Sequence, residues 1–271
     1  MSGRLLYLLL LLSIGNNLIA QTQQMITVPE GTYTVGDKHS IVNPFRKVHL
    51  PAFEIAVTEV TNRQFSAFVA ATGYITDAEK RHSSMVFEPG LEEFRWINDS
   101  TASWRFPNGV SRGGINDKMD HPVTAISYSD VTAYCQWAGY RLPTLDEWEV
   151  ASRANATTRY WWGNNRDLIG EYANIWHGRD HLQADSSDGY MYTAPVASFK
   201  PNPWGLYDMY GNVFEFCSGH TKHDKPGSTM IHARGGSWWC SKNSCNFFNS
   251  VDIGGQNLHA SFSNQGFRVA R

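Results

Sequence analysis

Short apolar runs cut by glycine, proline, asparagine and aspartate set the limit on what this chain folds into. ITVPEGTYTVG, KVHLPAFEIAV and PVASF read as short strands between turns, and from about Pro195 onward no helical periodicity is found. Helical signals are few. Thr61 to Gln64 and Thr144 to Glu147 read as capping boxes, each opening a short helix. In the first, Phe65, Phe68 and Val69 share a face before Gly73; near Asp130, a second stripe of Val131, Tyr134, Cys135 and Ala138 runs to Gly139. With no repeat and no composition shift, one α+β domain low in regular structure is expected. Ten tryptophans, twelve tyrosines and 23 glycines suit such a fold, with rings filling the space between turns.

Charge excludes some partners. A formal net charge of -2 gives no basic excess for a phosphate backbone, so nucleic acid is not expected. The N-terminus MSGRLLYLLLLLSIGNNLIAQ has the layout of a secretory signal peptide over residues 1–20. The expected mature protein is exported without stable membrane insertion, to a bacterial periplasm or exterior, or to a secretory lumen.

The stretch GGSWWCSKNSC places Cys240 and Cys245 five residues apart. In an oxidising compartment such spacing permits a disulfide. The same spacing also admits a metal site or a catalytic centre, although spacing alone favours the disulfide. Cys135 lies on the helical stripe and reads as a small core side chain. His220, His223, His232 and His259 form no strong zinc spacing and are assigned no catalytic role.

VPEGTYTVG, EVTNRQFSAFVAATGY, HPVTAISYSDVTAYCQWAGYRLPTLDEWEVASR, GLYDMYGNVFEF, RGGSWWCSKNSCN and SNQGFR follow one another in an order that resembles the formylglycine-generating enzyme family, also called sulfatase-modifying factors, over residues 25–271. The resemblance implies a C-type-lectin-like fold. It further implies copper(I) on Cys240 and Cys245, with Ser237 among the catalytic residues and Trp238 and Asn246 near the substrate. The activity implied is oxidation of a cysteine in an unfolded sulfatase polypeptide, within a Cys-x-Pro-x-Arg segment, to formylglycine by dioxygen. Two structural calcium sites are implied, one from Asn174, Ile175, Asp188 and Tyr190, the other from Asp208, Gly211, Val213 and Glu215; hard oxygen donors on turns suit that ion.

The chain also departs from the family. CNFFNSVD stands where generators carry basic residues, with Phe247, Asn249 and Asp252 at or next to those positions, and NVFEF replaces NxWEW. Many relatives pair a terminal GFRC cysteine with the one at Cys135; here Val269 stands there. Two other readings therefore stand beside the generator: a non-catalytic binding module on the same scaffold, and oxidation of a different thiol.

Overall fold

Among the described residues the chain threads ten short strands and four α-helices between long loops. A computed structural model describes residues 23–183, 185–225 and 227–271; the expected leader over 1–20 lies outside the described residues. Strand β1 (Met25–Val28) pairs antiparallel with β4 (Phe53–Ala56), and β2 (Gly31–Val35) with β3 (Arg46–Leu50). The first two apolar runs thus each split into two strands, because Pro29-Glu30 and Pro51-Ala52 interrupt them. PVASF forms no strand. Ala197 there takes a left-handed φ of 61° and donates its amide to Asp208 (2.7 Å), which turns the chain instead.

Each helix starts at a side-chain cap. Helix α1 (Asn62–Thr72) follows the Thr61–Gln64 box and α4 (Leu145–Arg153) the Thr144–Glu147 box, as the sequence predicts. Helix α3 (Tyr128–Ala138) has a third box, Ser127 with Asp130, and α2 (Asp77–Arg81) a fourth, Thr76 with Glu79. Gly73 and Gly139 end α1 and α3 in the left-handed conformation. The α1 and α3 stripes meet in one core, where Phe65, Tyr134, Cys135, Phe267 and Val269 pack together. Val269 therefore fills by packing the place where relatives are expected to bond a cysteine to Cys135.

A second core surrounds Trp148, Trp238 and Phe248. Beside it lies a four-stranded sheet, ordered β10 (Gln265–Gly266), β7 (Phe214–Cys217), β8 (Met230–Arg234) and β9 (Gly254–Asn257); β5 (Ser84–Val86) and β6 (Ile97–Asp99) form a separate hairpin-like pair. The result is the α+β class with little regular structure. In place of long strands, buried charge ties the loops together. Glu149 of α4 is fully buried and accepts from Arg153 (2.7 Å), Arg234 (3.1 Å), Asn43 (2.7 Å) and the Gly36 amide (2.6 Å). Replacing Glu149 by alanine strands two buried guanidiniums. The expected loss is about 3–5 kcal/mol, read as a lowered denaturation midpoint with an unchanged slope.

Candidate functional site

The cysteine pair sits on a loop that glycine makes possible. After β8, Gly235 and Gly236 take φ of 91° and 73°, and a Cβ on Gly236 would stand 2.7 Å from the Phe248 amide nitrogen. The next residue, Ser237, is fully buried; its Oγ accepts from Asn264 Nδ2 (2.9 Å) and its carbonyl from the Cys240 amide (2.9 Å). Ser237, expected among the catalytic residues, braces the turn through these two bonds. Cys240 in turn gives its carbonyl to the Trp176 amide (2.9 Å). Ser241 Oγ accepts from the amides of Asn243 and Ser244, closing the loop so that Cys240 and Cys245 face each other, Cα to Cα 4.6 Å, joined as a disulfide. Of the readings that spacing admits, this structure takes the oxidised one.

Cys245 opens onto a cleft of about 270 Å³. Six rings line it, Phe94, Trp96, Phe214, Trp239, Phe247 and Phe262, and the residues lining it include no charged side chain. Trp238, expected near the substrate, is 1% exposed and packs against Tyr192 (5.0 Å) and Phe87 (6.3 Å), while its neighbour Trp239 lines the cleft. Asn246 is exposed on the turn beyond Cys245 and does not line the cleft either. Phe94 is two-thirds exposed and holds a φ of 59°, a conformation costly for a bulky side chain, with its ring 5.0 Å from Trp239. No sequence signal marked the loop around Phe94 as part of the site. A larger cavity, about 640 Å³, lies between β2 and the end of α4 and touches neither cysteine.

The departures in CNFFNSVD have local roles. Phe247 is a cleft wall. Asn249 is fully buried and shapes its own turn, accepting from the amides of Val251 and Asp252 and donating to Asp252, which pairs with Arg159 (3.0 Å).

The expected calcium ligands fall into two groups. His177 Nε2 lies 3.2 Å from Asp188 Oδ2, which brings the Asn174–Ile175 segment against the Asp188–Tyr190 loop. That Oδ2 is buried and, the His177 ring apart, has no partner among the described residues; its chemistry as a hard donor fits a cation. Around Asp208, Gly211, Val213 and Glu215, sequence reasoning missed two participants, Glu59 and Arg268. Both Glu215 oxygens are engaged by Arg268 (2.6 Å each), and Oε2 also by Trp148 (2.6 Å). Asp208 and Glu59 are buried beside them, and Glu59 Oε2 has no partner among the described residues. Three carboxylates thus share one guanidinium. Burial, reinforced by the Glu215 charge, pushes Asp208 up to about 6, and burial with Asp208 beside it holds Glu59 well above the usual range. Among the described residues no three His, Cys, Asp or Glu side chains form a ready metal cage. A cation at either group would draw on main-chain oxygens as well, as the expected carbonyls of Ile175, Tyr190, Gly211 and Val213 provide.

A family model described as the sulfatase-modifying factor enzyme 1-like domain matches residues 14–271. The chain belongs to this family. Within the sulfatase-modifying factor family, a formylglycine-generating enzyme of Streptomyces coelicolor is 37% identical over 281 residues, covering 92% of this chain and 89% of that one. An inactive Cα-formylglycine-generating enzyme 2 of Bos taurus is 35% identical over 246 residues, covering 84% and 79%. The solved structure of PvdO from Pseudomonas aeruginosa superposes with a TM-score of 0.67 over 93% of this chain and 95% of its own, at 23% identity, a likeness of fold. Among the described residues no helix is long and apolar enough to cross a membrane. Sulfatase-modifying factor relatives thus include both active and inactive proteins, and the site has to decide between them.

The acid cluster generates a pH test. The folded-state value of Asp208, about 6, exceeds its unfolded value, so the contribution of this group to stability is fully present below about pH 4 and is lost as pH rises through about 6. In chelator, thermal melts across that window should show a loss on the order of 3 kcal/mol, and Asp208→Asn should flatten the difference.

Proposed function

We propose that this protein converts a cysteine of an unfolded sulfatase polypeptide to formylglycine. The observation that carries the reading is the pairing of Cys240 with Cys245, which lines an apolar cleft, in a chain 37% identical to a formylglycine-generating enzyme. The disulfide is the resting form, and reduction frees two thiolates whose spacing suits copper(I). Cys240 and Cys245 would hold copper(I), which would supply a soft centre with affinity for a thiol and the capacity for redox chemistry with dioxygen.

The protein's own residues prepare the site. Gly235, Gly236 and Ser237 fix the loop, and the rings of Trp96, Trp239 and Phe247 exclude water and cradle the client's apolar atoms. An extended client segment fits a cleft edged by Gly254, Gly255 and Gln256 of β9, an outer strand of the sheet. In the reaction the client loses a hydrogen from Cβ, water supplies the oxygen of the new C=O as the C–S bond breaks, and sulfide leaves. That oxidation supplies two electrons, so full reduction of dioxygen to water requires two more, from two external thiols that become a disulfide. Calcium is proposed as a structural ion at Asn174/Asp188 and at Asp208/Glu215, the latter with Glu59. Export to an oxidising compartment belongs to the same reading, since the pair rests oxidised.

The binding-module reading has one observation in its favour. Asn249 and Asp252 are spent on local turns and an ion pair, which leaves the cleft without the charges a basic client would meet.

Reduced protein should bind about one copper(I) per chain. Cys240→Ser or Cys245→Ser should abolish binding and turnover together, while Cys135→Ser and Cys217→Ser should spare both. Product is read with a Cys-x-Pro-x-Arg peptide as mass loss and hydrazide-trapped aldehyde. Copper binding without aldehyde overturns the generator; no binding at all gives the binding module the lead.

Calcium added to chelated protein should raise the thermal midpoint at pH 7, by mass action on the native state. Asp188→Ala together with Asp208→Asn should remove the response, and an unresponsive wild type would eliminate both ions.

A further inference from the structure

We propose that Glu93 and His181 are positioning residues that clamp the two cysteine-bearing turns together. The His181 ring is completely buried. Its Nε2 donates to the carbonyl of Trp239 (2.7 Å), the residue before Cys240, and its Nδ1 meets Glu93 Oε1 (2.6 Å). The other Glu93 oxygen accepts from the hydroxyl of Ser244 (2.5 Å), the residue before Cys245. One chain of hydrogen bonds therefore runs from the flank of one cysteine to the flank of the other. The Gly90 amide, bonded to the His181 carbonyl (3.0 Å), ties the loop carrying Glu93 to the same point.

Proton accounting shows how the clamp is charged. A carbonyl oxygen only accepts, so Nε2 carries a hydrogen; Nδ1 faces a carboxylate, so a second proton lies in that bond. Both His181 bonds are thus charge-assisted or close to it. The ring lies flat on Trp239 (4.3 Å, 16° between planes) with Phe87 (5.2 Å) and Trp176 (4.9 Å) around it, so its position is fixed.

An ordinary buried histidine would satisfy itself with whatever lies nearby. A buried ionic pair is also a poor stabiliser compared with apolar packing. What separates this one is where its bonds end, immediately before both cysteines. Holding those turns raises the effective concentration of one thiol at the other. The oxidised form is favoured thereby, and on reduction both sulfurs remain placed for one soft metal. The role rests on the reading that Cys240 and Cys245 form the working pair.

The test is the thiol–disulfide equilibrium of the folded full chain with glutathione, in which two reduced glutathiones give one oxidised glutathione as Cys240–Cys245 opens to two thiols. Trapped thiols are counted by alkylation and mass. His181→Ala should shift the glutathione ratio at half-reduction about tenfold toward the dithiol, the scale of one charge-assisted hydrogen bond. Ser244→Ala should shift it less in the same direction. The double variant should move no further than His181→Ala, because both cut one chain. Glu93→Gln keeps the shape and isolates the charge, and it carries the test if His181→Ala does not fold. A merely structural role would lower the melting of oxidised and reduced forms alike and leave the ratio within about twofold of wild type; that result overturns the clamp. So does a wild-type pair that opens only on unfolding. Copper(I) binding by wild type is measured separately, so that its absence defeats the generator reading while the glutathione ratio still judges the clamp.

Discussion

Arg268 holds together segments that the chain's short strands could not. Its guanidinium is fully buried and reaches the carbonyls of Ala56 and Val57 near the N-terminus, the carbonyl of Tyr207 in the central loop and both oxygens of Glu215 in β7. Burying that charge is costly unless every donor is met. Here Glu215 also accepts from Trp148 of α4, so the pair ties β7, α4, both ends of the chain and the loop before the cysteines. The backbone follows: Val269 and Arg271 pair with Ala56 and Glu54, closing the C-terminus onto the N-terminal sheet. Only with those ends fixed does β8 deliver Gly235 and Gly236 to the point where the cysteine turn begins.

What could be read from the sequence was local. Capping boxes at Thr61 and Thr144, stops at Gly73 and Gly139 and the helical stripe through Cys135 were legible because caps and periodicity act within a few residues. The Thr76–Glu79 box was equally present, but a helix as short as Asp77–Arg81 gives too little periodicity to stand out. PVASF was misread for a different reason. Its composition is strand-like, and the long-range bond from Ala197 to Asp208 overrides it. The charge network around Arg268 and Glu149 had no sequence signature, because its partners lie up to 212 residues apart.

The site divides in the same way. The cysteine pair and its glycine turn were visible as one contiguous stretch, and Asp208 and Glu215 as another. Glu59, Arg268, His181 and Glu93 were not, since each reaches its partner only through tertiary packing. Trp238 and Trp239 illustrate the limit most closely. They are the central residues of the turn closed from the Cys240 amide to the Ser237 carbonyl, and one fills the core while the other walls the cleft. Which tryptophan lines the cleft is a one-residue question that composition cannot answer.

Burial also sorts the four cysteines by chemistry. Burial pushes the Cys135 thiol up to about 12 and raises Cys217 further still, so both remain protonated in their cores. A protonated thiol is neither a nucleophile toward a disulfide nor a good ligand for a soft metal. Cys135 and Cys217 are therefore removed from exchange with Cys240–Cys245 without being distant in sequence from other functional parts. Val269 completes the separation: with a valine beside Cys135 no structural disulfide forms there, and the domain depends on packing and buried ion pairs for its cohesion. In a fold held together in this way the Cys240–Cys245 pair, itself part of the second core, is not what ties the distant segments; Arg268 and Glu149 carry that load.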